Sequence, residues 1–332
     1  MTAPAGGAVA FLGPVGTFTH QAVLTWARER GTLGGPGAGS DEEPGAGPLR
    51  PEPLGTVGEV HDAVASGAAD RGVIAIESSV EGHVVPSLDA LVGSPDVVAV
   101  DEVVLDVSFD AFVRPGHDPG ALTEATAHPH GLAQCHRFTA SRGLRAVPAS
   151  SNAAACRDLA GHQVAYGPRL CGELYGLETL AERVEDFPGA RTRFLVLCRR
   201  DDAPAVLRGT DAPAWRTMLA VTPVVTGPGV LARITAAFGE RGVNMSSLVT
   251  RPLKVREGQY VFVVTLDAAP WQPGVRDLFD DLLAAGDSLK VLGAYPAEPG
   301  GRGLDGVLPD HVPTGGVRRG DDAATVARGL LW

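Results

Sequence analysis

Long apolar runs are missing from this sequence, and so is any excess of basic residues. No stretch of about 18 apolar residues occurs, so we expect no membrane-spanning helix. The first residues, Met1–Gly7, have neither the basic start nor the apolar stretch of a secretory leader, so we expect a cytoplasmic protein. There are 28 Lys and Arg against 39 Asp and Glu, a net charge of −11. Because nucleic acids and anionic membranes attract basic surfaces, this charge argues against both as partners.

Cysteine is scarce as well, whereas glycine and proline are abundant. Cys135, Cys156, Cys171 and Cys198 lie in apolar surroundings without a C-x-x-C spacing, which is typical of structural thiols in a reducing compartment. Gly31–Gly55 is rich in glycine, proline and acidic residues. Because this segment has too little apolar surface to offset the entropy of ordering it, we predict a flexible insertion at residues 31–55.

The length of this 332-residue chain is enough for two globular domains. From residue 8 to residue 200, short apolar segments alternate with segments of helical periodicity, which predicts an α/β fold with mainly parallel strands. The predicted strands are Ala8–Leu12, Gly72–Ile76, Val97–Val107, Ala146–Val147, Gln163–Tyr166 and Arg193–Cys198. The predicted helices are His20–Arg30, Val57–Ser66, Gly131–Ser141, Asn152–Gly161 and Glu173–Val184.

A second, smaller domain at residues 216–296 follows a polar linker at residues 201–215. Its predicted elements occur in the order β-α-β-β-α-β, which is typical of an α+β ferredoxin-like plait. Residues 1–7 and 297–332 are predicted to be flexible tails, the latter with one short helix near Ala323–Leu331. The elements of the plait are Thr217–Thr222, Val230–Arg241, Asn244–Pro252, Gln259–Asp267, Gly274–Ala285 and Ser288–Tyr295.

Three polar stretches of the first domain lie at strand ends, where open α/β sheets bind their ligands. Gly13–Thr19 joins a strand to a helix, and the free N–H groups at such a junction suit an anion. Ile76–Gly82 follows a buried strand, and Arg191–Phe194 opens a very apolar one. Taken singly, each stretch is also consistent with an ordinary turn, a surface loop or an exposed strand end.

In their order and spacing, these stretches resemble the prephenate dehydratases, whose motifs are G-P-x-G-T-F-[ST], I-E-N-S-x-x-G and T-R-F. His128-Pro129, Leu132–Cys135 and Tyr175–Leu177 match further short patterns of that family, and the resemblance covers residues 8–199. It implies a two-lobed catalytic domain, like a periplasmic solute-binding protein, with the substrate between the lobes. It also implies conversion of prephenate to phenylpyruvate, water and carbon dioxide, without a metal or organic cofactor.

The resemblance further implies which residues act. Loss of water and of a carboxylate aromatises the ring, so the reaction needs a positioned acid and an aligned substrate rather than a nucleophile. Thr192 is the implied proton donor to the leaving hydroxyl group. Arg193 would hold a substrate carboxylate or tie the lobes together. The other implied substrate-binding residues are Gly16, Thr17, Phe18, Glu77, Ser78, Ser79, Asn152 and Phe194.

Four positions depart from the family's polar pattern. Ser78 and Ala190 each stand where the family has Asn, Asn152 replaces a Thr, and Pro168 replaces a Ser. Loss of one hydrogen-bond donor beside a charged ligand costs roughly 1–3 kcal/mol. Two alternatives therefore stay open: an enzyme that decarboxylates prephenate without expelling hydroxide, and a ligand-binding sensor without turnover.

The second domain resembles an ACT domain, a module that in such dehydratases binds phenylalanine at a dimer interface. Gly229–Leu231 stands where the family has G-A-L, and Asn244–Pro252 matches N-L-T-K-I-E-S-R-P with Val249 and Thr250 departing. This implies phenylalanine as effector and a homodimer or homotetramer; a plait kept only for dimerisation is the alternative. The implied effector-binding residues are Gly229, Val230, Leu231, Asn244, Thr250, Arg251 and Pro252.

Two other groups of side chains invite a functional interpretation. The three histidines and the cysteine within residues 128–136 could suggest a metal site, but they lack a recognised ligand spacing, and we expect no metal. Glu77 and Glu81 could form a catalytic carboxylate pair. Their position after a strand favours a helix start or a contact that ties the lobes together.

Overall fold

The computed structural model describes residues 7–30, 49–253, 259–297, 317 and 320–331. The described residues up to 297 form one compact unit, and residues 317 and 320–331 belong to a second one. None of the helices in these ranges is long and apolar enough to cross a membrane. The helices are α1 (Phe18–Glu29), α2 (Val57–Ser66), α3 (Val85–Gly93), α4 (Pro129–Gln134), α5 (His136–Ser141), α6 (Asn152–Arg157), α7 (Leu170–Tyr175), α8 (Ala203–Arg208), α9 (Val230–Glu240), α10 (Pro273–Ala284) and, in the second unit, α11 (Ala323–Leu330).

The strands form two sheets. They are β1 (Ala8–Leu12), β2 (Arg50–Leu54), β3 (Arg71–Ser78), β4 (Gly82–His83), β5 (Val97–Asp106), β6 (Asp110–Val113), β7 (Glu124–Ala127), β8 (Arg145–Pro148), β9 (Gln163–Gly167), β10 (Glu178–Ala181), β11 (Arg191–Arg199), β12 (Trp215–Thr222), β13 (Met245–Pro252), β14 (Tyr260–Leu266) and β15 (Ser288–Pro296).

Within residues 8–200 the described elements form two α/β lobes, as the resemblance implied. The first lobe contains the strand order β5-β11-β3-β1-β2, and the second is the five-stranded sheet β10-β6-β9-β7-β8. The chain passes to the second lobe between β5 and β6 and returns between β10 and β11. The prediction of mainly parallel strands is wrong, because the returning β11 runs antiparallel to both β3 and β5. In the second lobe β6 likewise runs antiparallel to β9 and β10.

The ferredoxin-like plait is confirmed. Its strands follow the order β13-β14-β12-β15, all antiparallel, and α9 and α10 contribute to the apolar core on one face. The other face packs against α2 and α3 of the first lobe through a second apolar cluster. At the junction β15 lies parallel to β5, with Gly293 opposite Ala99, so both domains share one ten-stranded sheet.

Three expectations about local structure need correction. Arg50–Leu54, assigned to the flexible insertion, is the strand β2, which pairs in parallel with β1 at the sheet edge, where its prolines are tolerated; residues 31–48 of the insertion lie outside the described part. The linker contains α8. The predicted helix Glu173–Val184 ends at Tyr175, because Gly176 adopts a left-handed conformation (φ 61°), and the strand β10 follows.

The four cysteines are free thiols and all are buried. Burial raises the pKa of Cys135 above its ordinary value and that of Cys198 to about 11. A hydrogen bond with Cys171, and then burial, raise the pKa of Cys156. These thiols fill apolar space, as the sequence predicted.

Candidate active site

A cavity of about 440 Å³ lies between the two lobes. The first lobe contributes the start of α1, the end of β3, the loop before α3 and the start of β11. The second lobe contributes α4, the start of α6 and the crossing segments. The residues that line it include Phe18, Ser78, Glu81, His83, Phe109, His128, His130, Gly131, Gln134, Asn152, Thr192 and Phe194.

Thr192 reaches this cavity because of its position in β11. It pairs with Ser78 on β3 and Leu105 on β5, in the interior of the first-lobe sheet. Since side chains alternate along a strand, Thr192 and Phe194 share one face of the sheet. Within the described residues no group hydrogen bonds to the Thr192 hydroxyl. It is therefore available to a ligand.

Arg193 lies on the opposite face of β11, where two carboxylates of its own lobe contact it. Its Nη1 is 3.1 Å from Glu77 Oε2, and its Nε is 3.4 Å from Glu102 Oε2. Both carboxylates belong to neighbouring strands of the same lobe, so these ion pairs do not tie the lobes together. Arg193 and Glu77 are absent from the lining of the cavity.

Aromatic rings form the apolar wall of the cavity. Phe18 at the start of α1 meets Phe109 of the second lobe edge-to-face, with ring centroids 5.2 Å apart. Phe194 is only 1% exposed. Sequence reasoning took Phe18 and Phe194 as site residues but missed Phe109, because only the crossing between lobes brings it to Phe18.

Asn152 supplies an amide at the second-lobe side of the cavity. Its Oδ1 accepts a hydrogen bond of 2.9 Å from the backbone N–H of His128, which fixes the orientation of the amide. A Cβ at Gly131 would lie 2.5 Å from that oxygen, so an unshifted Asn152 requires glycine at this position. With its oxygen engaged, the Asn152 amide nitrogen remains as a donor for a ligand.

Glu81 connects the lobes at the rim. Its Oε1 accepts a hydrogen bond of 3.3 Å from Gln134 Nε2, and its Oε2 lies 3.0 Å from His130 Nδ1. The rings of His128 and His130 stack with centroids 5.1 Å apart. Burial, and then the neighbouring His130, lower the pKa of His128. Glu81 therefore acts as a lobe-tying group, and the two imidazoles are polar groups that sequence reasoning did not assign to substrate.

The histidines and the cysteine at residues 128–136 lie in different environments. Cys135 is fully buried in the core of the second lobe, whereas His136 is exposed, so the histidines and the cysteine of this segment do not converge. Across the described ranges no group of three or more His, Cys, Asp or Glu side chains is arranged to hold a metal ion.

The turn before α1 joins the lobes rather than lining the cavity. Thr17 caps α1 by accepting a hydrogen bond of 3.2 Å from the His20 N–H. Gly16 adopts φ 90°, a conformation that suits glycine, and its carbonyl oxygen accepts a hydrogen bond from the Cys171 thiol of the second lobe. The Tyr175 hydroxyl, also of the second lobe, donates to the Val15 carbonyl at 2.6 Å.

The two serines after β3 act locally. Ser78 lines the cavity, and its Oγ accepts hydrogen bonds from the N–H groups of Val80 and Glu81, which hold the loop. Ser79 Oγ accepts a hydrogen bond of 2.9 Å from the Arg191 N–H and so fixes the start of β11. Of the ten predicted catalytic and substrate-binding residues, the cavity thus brings together Phe18, Ser78, Asn152, Thr192 and Phe194.

The implied effector residues lie on different faces of the plait. Gly229 adopts φ 85° before α9, whose first residues Val230 and Leu231 are partly or well exposed. Thr250 and Pro252 are exposed on β13. The Asn244 amide donates to Asp267 at 2.6 Å, and Arg251 alternates to the face that meets the first lobe.

Comparison with known proteins settles the family. The model of the prephenate dehydratase family matches residues 9–202, more than half of the chain, and that of the ACT domain matches residues 224–270. The chain belongs to the prephenate dehydratase family. A prephenate dehydratase of Mycobacterium sp. (strain JLS) is 35% identical over 292 residues, which cover 87% of this chain and 88% of that protein.

Solved structures agree with this membership of the prephenate dehydratase family. The prephenate dehydratase from Arthrobacter aurescens, in complex with L-Phe, superposes with a TM-score of 0.72 at 28% identity, covering 87% of this chain and 90% of that one. GqqA, described as a novel type of quorum quenching acylase, has the same TM-score of 0.72 at 25% identity, with 88% and 98% covered. The two-lobed domain with its plait is thus shared by proteins of different described activity.

Proposed function

We propose that this chain converts prephenate to phenylpyruvate, with loss of one water and one carbon dioxide. The observation that carries the proposal is the position of Thr192, which lines the cavity between the lobes and whose hydroxyl group has no hydrogen-bond partner among the described residues. In the balanced reaction the C–C bond to the ring carboxylate breaks, its electron pair enters the ring, and the C–O bond to the hydroxyl group breaks. One proton joins the departing hydroxide to form water.

Thr192 would donate that proton or a strong hydrogen bond to the leaving hydroxyl group. The rings of Phe18, Phe109 and Phe194 form an apolar surface against the substrate ring, which favours the uncharged aromatic ring of the product over the carboxylated ring of the substrate. Such walls also hold the ring in one orientation, with the leaving groups aligned.

The substrate carries two carboxylates, and the net charge of −11 opposes its approach. Local donors must therefore bind it. The Asn152 amide and the imidazoles of His128 and His130 lie on the second-lobe wall and are the donors we assign to these carboxylates. The Glu81 carboxylate, which would repel them, is offset by its contacts with His130 and Gln134.

The assay that tests this function incubates the purified chain with prephenate and follows phenylpyruvate by its absorbance in base. Formation of phenylpyruvate with equimolar carbon dioxide supports the proposal. Carbon dioxide without phenylpyruvate would identify a decarboxylase, and saturable binding without product would identify a sensor. Either of these outcomes rejects dehydration.

Replacement of Thr192 by Ala tests the proton donor. We expect kcat to fall by about 10²- to 10⁴-fold, because a positioned acid contributes rate enhancements of that order. Thr192→Ser keeps the hydroxyl group and should keep most of the turnover, while circular dichroism should show both variants folded. An unchanged kcat in Thr192→Ala removes this residue from the mechanism.

We also propose that the chain works in the cytoplasm as a homodimer or homotetramer, with a catalytic domain at residues 8–200 and an ACT domain at residues 216–296. Phenylalanine is the proposed effector, supported by the ACT match and by the relative that was solved with L-Phe. If phenylalanine changes neither the rate of the reaction nor the thermal midpoint of unfolding, the ACT domain serves only in oligomer assembly.

A further inference from the structure

Helix α3 runs from the substrate cavity to the ACT domain. At its beginning Val84, Val85 and Pro86 line the cavity. Its middle is anchored by Ser87, Leu88 and Leu91, which are 0%, 1% and 0% exposed. Because a short, well-packed helix moves as one body, a shift at its far end also shifts the cavity wall.

The ACT domain binds the far end of α3 through a lysine. Lys290 on β15 donates hydrogen bonds of 3.1, 2.7 and 2.5 Å to the backbone carbonyls of Leu91, Val92 and Ser94. The carbonyls of Leu91 and Val92 belong to the last turn of the helix and that of Ser94 to its C-cap, where a cation is favoured by the helix dipole.

The strand β13 holds the middle of the same helix. Arg251 makes a bidentate ion pair with Asp89, with Nε–Oδ1 and Nη2–Oδ2 distances of 2.8 and 3.1 Å. The side chains of Arg251 and Asp89 are only 18% and 23% exposed, so solvent screens the pair less than a surface pair. Arg251 belongs to the Asn244–Pro252 stretch that resembles the effector motif.

The same strand contacts the cavity lining directly. Ser247 on β13 lies 3.3 Å from His83 Nε2, and His83 lines the cavity just before α3. Ser247 and Arg251 alternate to the half-buried side of β13, whereas Leu248 and Thr250 are exposed. One face of the strand therefore meets the first lobe, and the other is open to solvent.

We infer that Arg251 is a positioning residue: through Asp89 it fixes α3, and thereby sets the wall of the substrate cavity from within the ACT domain. It touches neither substrate nor the reacting atoms. The ion pair therefore gives the ACT domain a defined physical connection to the cavity wall. The inference deepens the proposed function and rests on the same cavity.

Arg251→Met is the decisive variant, because it keeps an unbranched, flexible apolar stem and removes the ion pair. We expect the KM for prephenate to change by about 2- to 30-fold with a smaller change in kcat, the range observed for residues that couple distant sites. Asp89→Asn should have the same effect, and combining the two changes should add little, because both remove one interaction. Arg251→Lys should restore part of the wild-type KM.

Arg241→Met is the matched control. Arg241 makes a bidentate pair with Asp281 inside the ACT domain, with distances of 2.6 and 2.8 Å, and this pair joins α9 to α10 without touching the first lobe. Its kinetic constants should equal those of the wild type. If Arg251→Met and Asp89→Asn also equal the wild type in KM, kcat and response to phenylalanine, the inference is wrong.

The two proposals fail in different ways. If the wild type produces no phenylpyruvate, the proposed function fails, and prephenate binding measured by thermal shift then replaces KM as the readout for Arg251. If Arg251→Met does not fold, Asp89→Asn carries the test, since it leaves the shape of the site intact. A KM or binding constant that is unchanged in a folded variant overturns the inference in either case.

Discussion

At the scale of single residues, the position of the Asn152 side chain depends on the absence of a side chain at Gly131. The 2.5 Å between a Cβ at position 131 and Asn152 Oδ1 means that any side chain at Gly131 displaces the amide. The displaced Asn152 would lose its hydrogen bond from the His128 N–H and turn its donor away from the cavity. The pair therefore acts as one unit.

We expect Gly131→Ala to raise the KM for prephenate by about 5- to 100-fold, the equivalent of one lost hydrogen bond to a charged ligand. Gly161→Ala is the control in the same lobe, because a Cβ there meets nothing within 4 Å. Steady-state kinetics of both variants provide the measurement. Equal KM values would show that the Asn152 amide does not bind the substrate.

At the scale of residues, the sequence was enough to predict part of the site. Motif order was enough to find Thr192, Phe18 and Asn152, because each lies at the end or start of a recognisable element. Assigning both Thr192 and Arg193 to the substrate conflicted with the alternation of side chains along a strand, and the structure gives the cavity only the threonine. Phe109 had no sequence signal.

At the scale of elements, α2 carries a buried histidine with a clear pH signature. His61 is 5% exposed, and neither ring nitrogen has a hydrogen-bond partner in the described part of the chain. Burial lowers the pKa of His61 from 6.5 to about 4, with Asp62 opposing and Lys290 adding to the shift. At pH values between these two, the His61 ring is therefore neutral in the folded protein and protonated in the unfolded chain.

Stability should accordingly fall as the pH drops from 6.5 towards 4, because the unfolded chain binds a proton that the folded one refuses. Over this interval the loss from His61 is on the order of 3 kcal/mol. Urea unfolding at pH 7 and pH 4.5 should show a smaller pH dependence in His61→Leu. His136→Leu, at an exposed position, is the matched control for replacing a histidine by leucine.

Among the elements, the plait was predicted almost residue by residue, because its strands and helices have clean periodicity and short turns. The second lobe was predicted less well. Its strands β6 and β7 have four residues each, which is too few for a periodic signal. The strand β10 was predicted as helix, because Gly176 is the single residue that marks the end of α7. The strand β2 was missed because its two prolines lie in a segment of disordered composition.

At the scale of the whole molecule, the ten-stranded sheet joins the two domains at the point where Gly293 of β15 lies against Ala99 of β5. A Cβ at Gly293 would lie 2.7 Å from Ala99 Cβ and 3.1 Å from the Ala99 carbonyl oxygen. The junction also contains Glu102, whose buried carboxylate lies 2.9 Å from Arg216 Nη1 of β12 and 3.4 Å from Arg193 Nε. Sequence indicated two domains but carried no signal for a shared sheet.

We expect Gly293→Ala to lower the free energy of unfolding by about 1–3 kcal/mol, because overpacking forces the two strands apart. Gly239→Ala in α9 should have the opposite sign, since a Cβ there meets nothing within 4 Å and alanine favours the helix. Thermal and urea unfolding of both variants distinguish these effects. Equal stability of Gly293→Ala and the wild type would contradict so tight a junction.

The burial of all four cysteines has a practical consequence for following motion in this enzyme. Since the thiolate is the reactive form, the burial of all four thiols and the raised pKa values of Cys135, Cys156 and Cys198 should slow alkylation while the protein stays folded. Three of them report on the second lobe and one, Cys198, on the first. The labelling rate of each cysteine would therefore measure how often its lobe opens locally. One cysteine added at the surface would serve as a unique attachment point for a fluorescent probe.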